Sequence, residues 1–144
     1  MNYLGRTLLI GEEPGGRYAQ QLKRWLVERT QVVLAKRGKG RNCQTPYFKI
    51  ESNGCWIWQR RTNASGYGSI GMGQGNNRKE PYQHRYFYEQ FVEPIPKGMT
   101  LDHTCVNSLC GNPEHLELVS HSDNLKRAWK RNPNGIGRQK KVVV

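Results

Sequence analysis

The stretch LDHTCVNSLCGNPEHLELVSHSDNLKRAW, residues 101–129, decides how this chain folds. It holds two of the four cysteines, three of the four histidines, an Asp-His pair and an Asn-rich loop. Met99 to Thr104 passes from apolar to polar and predicts a short strand. Asn107 to Glu114 reads as a loop, with Gly111, Asn112 and Pro113 as its turn residues. Leu116 to Val119 alternates apolar and polar positions and predicts a second strand. Ser120 or Ser122 then caps a helix through Lys130, with Leu125, Ala128 and Trp129 on its apolar side. A strand, loop, strand and helix of this size enclose too small a core to stand without a staple.

The expected staple is zinc. Cys105, Cys110 and His115 lie five residues apart and bracket the loop between the two strands. Thiolates plus an imidazole in a tetrahedral shell are what a structural zinc requires. A fourth ligand must come from elsewhere. Cys55, between strand-like neighbours in GCWIW, is the expected donor, and Cys43, in a basic, polar stretch, is its competitor. The bland alternative is a set of small buried hydrophobes or free thiols.

The motifs CWIW, GYG at Gly66 to Gly68, HRYFYEQFVEPIPKG from His84 to Gly98, LDHTC, LCGNPEHLELVS and the following SDN occur in one order. In this the chain resembles the zinc-containing HNH endonucleases of phages and mobile introns, close to the His-Cys box homing endonucleases. The resemblance covers about residues 55–130 and implies an α+β class fold with a ββα-metal core. It leaves everything before Asn42 unexplained.

Composition agrees with a single small domain carrying arms. Hydrophobic residues make up 35% of the chain and there are 16 glycines, so the core is modest and turns are many. Cysteine clustered with histidine argues for metal rather than disulfides, and so for a reducing compartment. No signal peptide or membrane-length apolar run is seen, so an intracellular, non-secreted protein is expected. The net charge is +12, with +7 in residues 17–41, +6 in residues 120–144 and zero in residues 42–119. A neutral block between two basic runs suits a long polyanion, and so nucleic acid; the resemblance makes double-stranded DNA the expected partner. The expected division is a basic helix and linker over 1–42, a nuclease domain over 43–130 and a basic tail over 131–144.

Residues 1–16 say little. Arg17 to about Lys36 is helical in pattern, with Tyr18, Leu22, Trp25, Leu26, Val33 and Leu34 near one face. It is expected either to pack on the core or to turn its cationic face to phosphates. Lys36, Arg37 and Lys39 belong to a Gly-interrupted linker suited to a DNA backbone or minor groove. Tyr47 to Ser52 and Cys55 to Gln59 predict a hairpin around Asn53-Gly54. A further strand is expected over Tyr67 to Met72. In related homing endonucleases such antiparallel ribbons read the major groove, which nominates Gln59, Arg60, Arg61, Asn63, Ser69 and Gln74. A helix from Pro81 to about Val92 carries Tyr82, Tyr86, Phe87, Tyr88 and Phe91, expected to be mostly core. His84 and Arg85 lie on it, as packed polar residues or as groups reaching the scissile phosphate.

Hydrolysing a phosphodiester needs a base for water and a cation for the developing charge. His103 is the expected base. Asp102 offers a hard carboxylate suited to Mg²⁺ or Mn²⁺. Consecutive strand residues point to opposite faces, so one site can use both only if the backbone twists there. Asn124 lies in the first turn of the last helix, where it can return to the same ion. The resemblance gives His103 and Asn124 these roles and makes Asn112 the residue that pins the loop. It also implies an arginine from the ribbon, Arg60 or Arg61, at the phosphate, and ends bearing 5′ phosphate and 3′ hydroxyl. Lys126, Arg127 and Lys130 suit phosphate contacts, whereas His121 is read as surface. Cutting both strands of a palindromic site would need a homodimer. Two rivals stay open: a non-catalytic zinc-stapled nucleic-acid-binding module, and a nuclease for RNA or structured DNA.

Overall fold

The computed structural model describes residues 2–3, 6–35, 46–72, 75–77 and 79–133. Two minimal strands, β1 (Asn2–Tyr3) and β2 (Arg6–Thr7), pair antiparallel at the start. A three-stranded sheet follows, ordered β3 (Leu9–Gly11), β4 (Phe48–Ile50), β5 (Trp56–Trp58). Strand β3 runs parallel to β4, while β4 and β5 form the antiparallel hairpin that the Asn53-Gly54 signal predicts. Gly54 takes φ 86° in its loop, a conformation that glycine adopts without penalty.

Helix α1 (Ala19–Ala35) lays Leu22, Trp25 and Leu26 against this sheet. Helix α2 (Gln83–Phe91) adds Phe87, and its Tyr86 hydroxyl accepts a hydrogen bond from Trp25 Nε1 at 3.0 Å. The core is aromatic: Phe48 meets Trp56, Trp58 and Phe87 in edge-on contacts with centroids 5.1–5.9 Å apart. Such pairs contribute about 0.5–1.5 kcal/mol beyond their burial. Leu8, Leu9, Leu22 and Leu26 share this core with Phe48 and Trp58, so the segment before residue 42 is not a separate arm where it is described. Helix α1 thus packs on the core through its apolar side. The side chains of Val33 and Leu34, and all of Lys36, Arg37, Lys39, Cys43 and Gln74, lie outside the described residues.

The last unit follows the expected order. Strand β6 (Met99–His103) pairs antiparallel with β7 (Leu116–Ser120), joined by a loop ending in a 3₁₀ turn at Pro113–His115. Helix α3 (His121–Arg131) starts at Ser120, whose hydroxyl accepts from Asp123 N at 3.1 Å. Two expectations need correction. Tyr67 to Met72 is no strand: it makes only single bridges, Thr62 to Gly68, Ser69 to Tyr82 and Met72 to Lys79. Gly68 explains part of this, because a Cβ there would run into the Trp58 ring and the Gln83 side chain. The apolar side of α3 does not pack either: Leu125 is 42% and Trp129 56% exposed, and no residue of the helix is buried. Its contacts with the sheet are made by charges instead.

Candidate metal centre and the flanks of strand β6

Cys55, immediately before strand β5, brings the fourth ligand to the loop. Gly111 N donates to Trp56 O at 2.9 Å and Trp58 N to Leu109 O at 2.9 Å, which seats Cys55 beside Cys110. The ligand atoms of Cys55, Cys105, Cys110 and His115 all lie within 4.8 Å of one another. His115 Nδ1 is 3.3 Å from Cys55 Sγ and 3.6 Å from Cys110 Sγ. With Zn–S near 2.3 Å and Zn–N near 2.0 Å, a tetrahedral site has S···N edges of roughly 3.5 Å. The donor set and its spacing therefore fit a closed zinc site.

The charges point the same way. A hydrogen bond from Cys110 draws the Cys105 thiol down to about 5. Burial, then the Cys105 charge, pushes Cys55 up to about 11, and the hydrogen bond to Cys105 raises Cys110 as well. Three thiols this close cannot all ionise unless a cation sits among them. The turn after Cys105 is strained too, since Val106 takes φ 57°. An L residue there costs about 1–2 kcal/mol, and metal bonds on both sides of the turn would hold it.

Asn112 fastens this loop to the hairpin. Its side-chain amide donates to Gly54 O at 2.8 Å, and its oxygen accepts from Glu114 N at 3.0 Å. It pins the loop, as expected of it, to the β4–β5 turn.

Strand β6 carries Asp102 and His103 into different surroundings. His103 sits among rings: its centroid is 4.7 Å from His84 and 6.3 Å from Tyr67. Both imidazoles are deeply buried, His84 at 5% and His103 at 8% exposure. Burial, then the neighbouring His103, lowers His84 to about 3, and burial lowers His103 as well. His84 Nδ1 and His103 Nε2 are sealed from solvent and lack a hydrogen-bond partner.

Asp102 is bound on the other flank. Arg131 grips it in fork geometry, Nη1 to Oδ1 at 2.8 Å and Nη2 to Oδ2 at 2.7 Å, and Arg127 Nη1 reaches Oδ2 at 3.2 Å. Arg127 also holds Glu117, at 2.6 and 3.0 Å. Asp102 and Glu117 face each other across the β6–β7 ladder, so the arginine neutralises two carboxylates that would otherwise repel. Hydrogen bonds from Arg131, then Arg127, keep the Asp102 carboxyl below its ordinary range. Asn124 is half-buried on α3, three residues before Arg127 and seven before Arg131, hence on the same helical stripe. An oxygen-liganded ion between β6 and α3 suits Asp102 and Asn124 by donor chemistry. Three of the roughly four lone-pair positions of Asp102 are already taken by arginine.

The expected DNA contacts scatter. Arg60 stacks on Tyr47 with its guanidinium 3.6 Å from the ring centroid, and Arg61 pairs with Glu80 at 3.0 Å. The Asn63 oxygen accepts from Ser65 N and Tyr67 N, at 3.0 and 3.1 Å, shaping its own loop. Arg85 is half-buried on α2, while Lys126, which pairs with Asp123 at 3.6 Å, and Lys130 are exposed on α3. Arg127, expected at phosphate, is engaged with Asp102 and Glu117. Arg131 was not singled out from the sequence, although its place four residues after Arg127 marks it as the next group on that stripe.

A family model described as HNH endonuclease matches residues 82–126, which include His84, Asp102, His103, Asn112 and Asn124 but not Cys55 or Arg131. The chain is 42% identical over 77 residues to Protein 2.8 of Escherichia phage T7, covering 54% of this chain and 50% of that protein. It is 36% identical over 86 residues to an uncharacterized gene 5.3 protein of Enterobacteria phage T3, covering 58% of this chain and 85% of that protein. Protein 7.7 of Escherichia phage T7 is 36% identical over 70 residues, covering 49% and 51%. The chain thus spans about half the length of the two T7 proteins. No solved structure matches it.

Proposed function

Because the chain belongs to the HNH endonuclease family, we propose that it is a metal-dependent DNA endonuclease in which His103 takes a proton from water. The observation that carries this reading is the Cys55, Cys105, Cys110 and His115 cluster beside the end of β6. Cys55, Cys105, Cys110 and His115 would hold a zinc that ties down the loop after His103. His103 is kept neutral by burial, the state in which a ring nitrogen can accept a proton. Asp102 and Asn124 are the residues to hold a divalent ion, Mg²⁺ or Mn²⁺. When bound, that ion supplies Lewis acidity at the phosphate and charge for the departing oxygen.

Arg127 and Arg131 hold Asp102 in the free protein. A DNA phosphate between β6 and α3 competes for the same guanidinium groups, which favour forked contacts with either anion. Lys126, Lys130 and Arg85 extend the positive surface, and the net charge of +12 supplies long-range attraction to the duplex. A single copy nicks; cutting both strands of a symmetric site takes two. The phage relatives fit a protein that works inside an infected cell.

The experiment is incubation of supercoiled plasmid with the protein and Mg²⁺ or Mn²⁺, followed by end labelling. Relaxed or linear product with 5′ phosphate and 3′ hydroxyl ends is expected, with none after EDTA. A second reading, a zinc-stapled binding module, draws on the arginine-bound Asp102 and the sealed His103 Nε2. Tight duplex binding with intact plasmid in both metals would favour it. Preferential cutting of RNA or branched DNA in competition would instead redirect the substrate.

A further inference from the structure

Helix α3 carries two unlike stripes. Asn124, Arg127 and Arg131 share one, and its arginines reach the carboxylates of Asp102 and Glu117 on the sheet. Leu125 and Trp129, four residues apart, lie on the far side of the helix, 42% and 56% exposed. Lys126 and Lys130 follow each of them by one position and are exposed too. Among the described residues the Trp129 side chain makes no ring contact and no hydrogen bond. The other tryptophans, Trp25, Trp56 and Trp58, are all buried in the aromatic core. A single exposed leucine would need no account. A bare indole set between two ammonium groups on one helix face does.

We propose that this outer face of α3 is a DNA-contacting surface, with Trp129 and Leu125 wedged against a base step and Lys126 and Lys130 on the adjoining phosphates. It rests on the reading above that the ligand is duplex DNA. Charge selects that partner. Arg127 and Arg131 are already neutralised by Asp102 and Glu117, so the uncompensated charge of α3 lies beside the ring. Lys126 has a pair with Asp123 at 3.6 Å, but both side chains are well exposed, and a surface pair of this kind yields to a phosphate at little cost. The sequence beyond, residues 134–144, adds Arg138, Lys140 and Lys141 and no acidic residue. A second copy of the chain fits this face poorly. It would set lysines against lysines, and Leu125 and Trp129 offer far less area than the roughly 800 Å² each partner of a stable pair buries. Apolar side chains pressed between base steps, with cations on the flanking phosphates, hold a duplex without reading its sequence.

The test uses the zinc-loaded full chain and a short random-sequence duplex with no added Mg²⁺ or Mn²⁺, so that binding is read without cutting. Because Trp25, Trp56 and Trp58 are buried, acrylamide quenches mainly Trp129. Free protein is expected to show a readily quenched fraction that is missing from Trp129→Ser, and saturating duplex should shield it. Trp129→Ser should bind about 5- to 100-fold more weakly with the salt dependence of wild type. Lys126→Gln combined with Lys130→Gln should instead lower the slope of log affinity against log salt by about 2. A ring that stays quenchable in the complex overturns the proposal, as does binding by Trp129→Ser within about twofold of wild type. A ring already shielded in the free chain also overturns it, in favour of a second copy if dilution exposes the ring and of the chain's own end if it does not. If Trp129→Ser fails to fold, the quenching of wild type still decides. Should the ring be shielded and binding weakened while plasmid stays whole in Mg²⁺ and Mn²⁺, the surface stands and the nuclease reading falls. Cut plasmid with a ring that stays quenchable gives the reverse.

Discussion

Adjacent residues of β6 are held by opposite means. The His103 flank runs into a loop fastened by sulfur and imidazole, with neutral, sealed groups around it. The Asp102 flank is fastened by ion pairs to arginines on α3, a helix that buries no residue of its own. The first kind of fastening is stiff and indifferent to salt. The second yields to any competing anion, such as a phosphate. In the nuclease proposed above, the first would fix the base and the second would hold a carboxylate whose partners DNA can draw away.

Breaking the zinc flank should have the largest effect. Cys110→Ser, or extraction of metal by a strong chelator, is expected to abolish cooperative folding of the β6–β7 unit, since zinc binding contributes on the order of 10 kcal/mol in small domains. Circular dichroism melts with and without zinc check this, and an unchanged melt would remove the staple from the account. Asn112→Ala comes next. It leaves Gly54 O and Glu114 N unpaired, for an expected loss of about 2–4 kcal/mol in denaturant unfolding. A loss under 0.5 kcal/mol would mean the loop does not need its tie to the hairpin.

The arginine flank should respond more weakly. Asp102→Asn is expected to cost about 1–2 kcal/mol, with the difference shrinking in high salt. The pH dependence has a definite sign. The folded carboxyl titrates below its unfolded value, so its stabilisation is present above about pH 4 and is lost as pH falls through the lower folded value. Acid unfolding of wild type and Asp102→Asn should therefore converge below pH 4; parallel curves would say that the pair contributes nothing. The smallest effect is expected on the outer face of α3, where Trp129→Ser should change stability by less than about 0.5 kcal/mol. A larger loss would show that the ring is covered by something in solution.

Much of the zinc flank was legible in the sequence because its signals are local. Ligand spacing, the Asn53-Gly54 turn and the Ser120 cap each act over a few residues. Non-local pairing was harder to read. Nothing in Leu9–Gly11 announces a parallel partner at Phe48–Ile50, because one short apolar run fits many neighbours. Tyr67 to Met72 has strand-like composition, yet close packing at Gly68 against Trp58 and Gln83 overrides it. On α3, helical periodicity marked Leu125, Ala128 and Trp129 as the packing side, but the charge on Asp102 turned the arginine side inward instead. The pairing of Arg131 with Asp102 spans 29 residues and needs the strand and helix already in place.

The most direct test of the central claim is plasmid cleavage by wild type and His103→Ala at equal zinc content and saturating Mn²⁺. Metal-dependent cutting by wild type is expected, with a loss of at least about 100-fold in His103→Ala, both proteins being assayed well below their melting temperatures. Equal cutting by both proteins, or none by either, would contradict the assignment of His103 as the base.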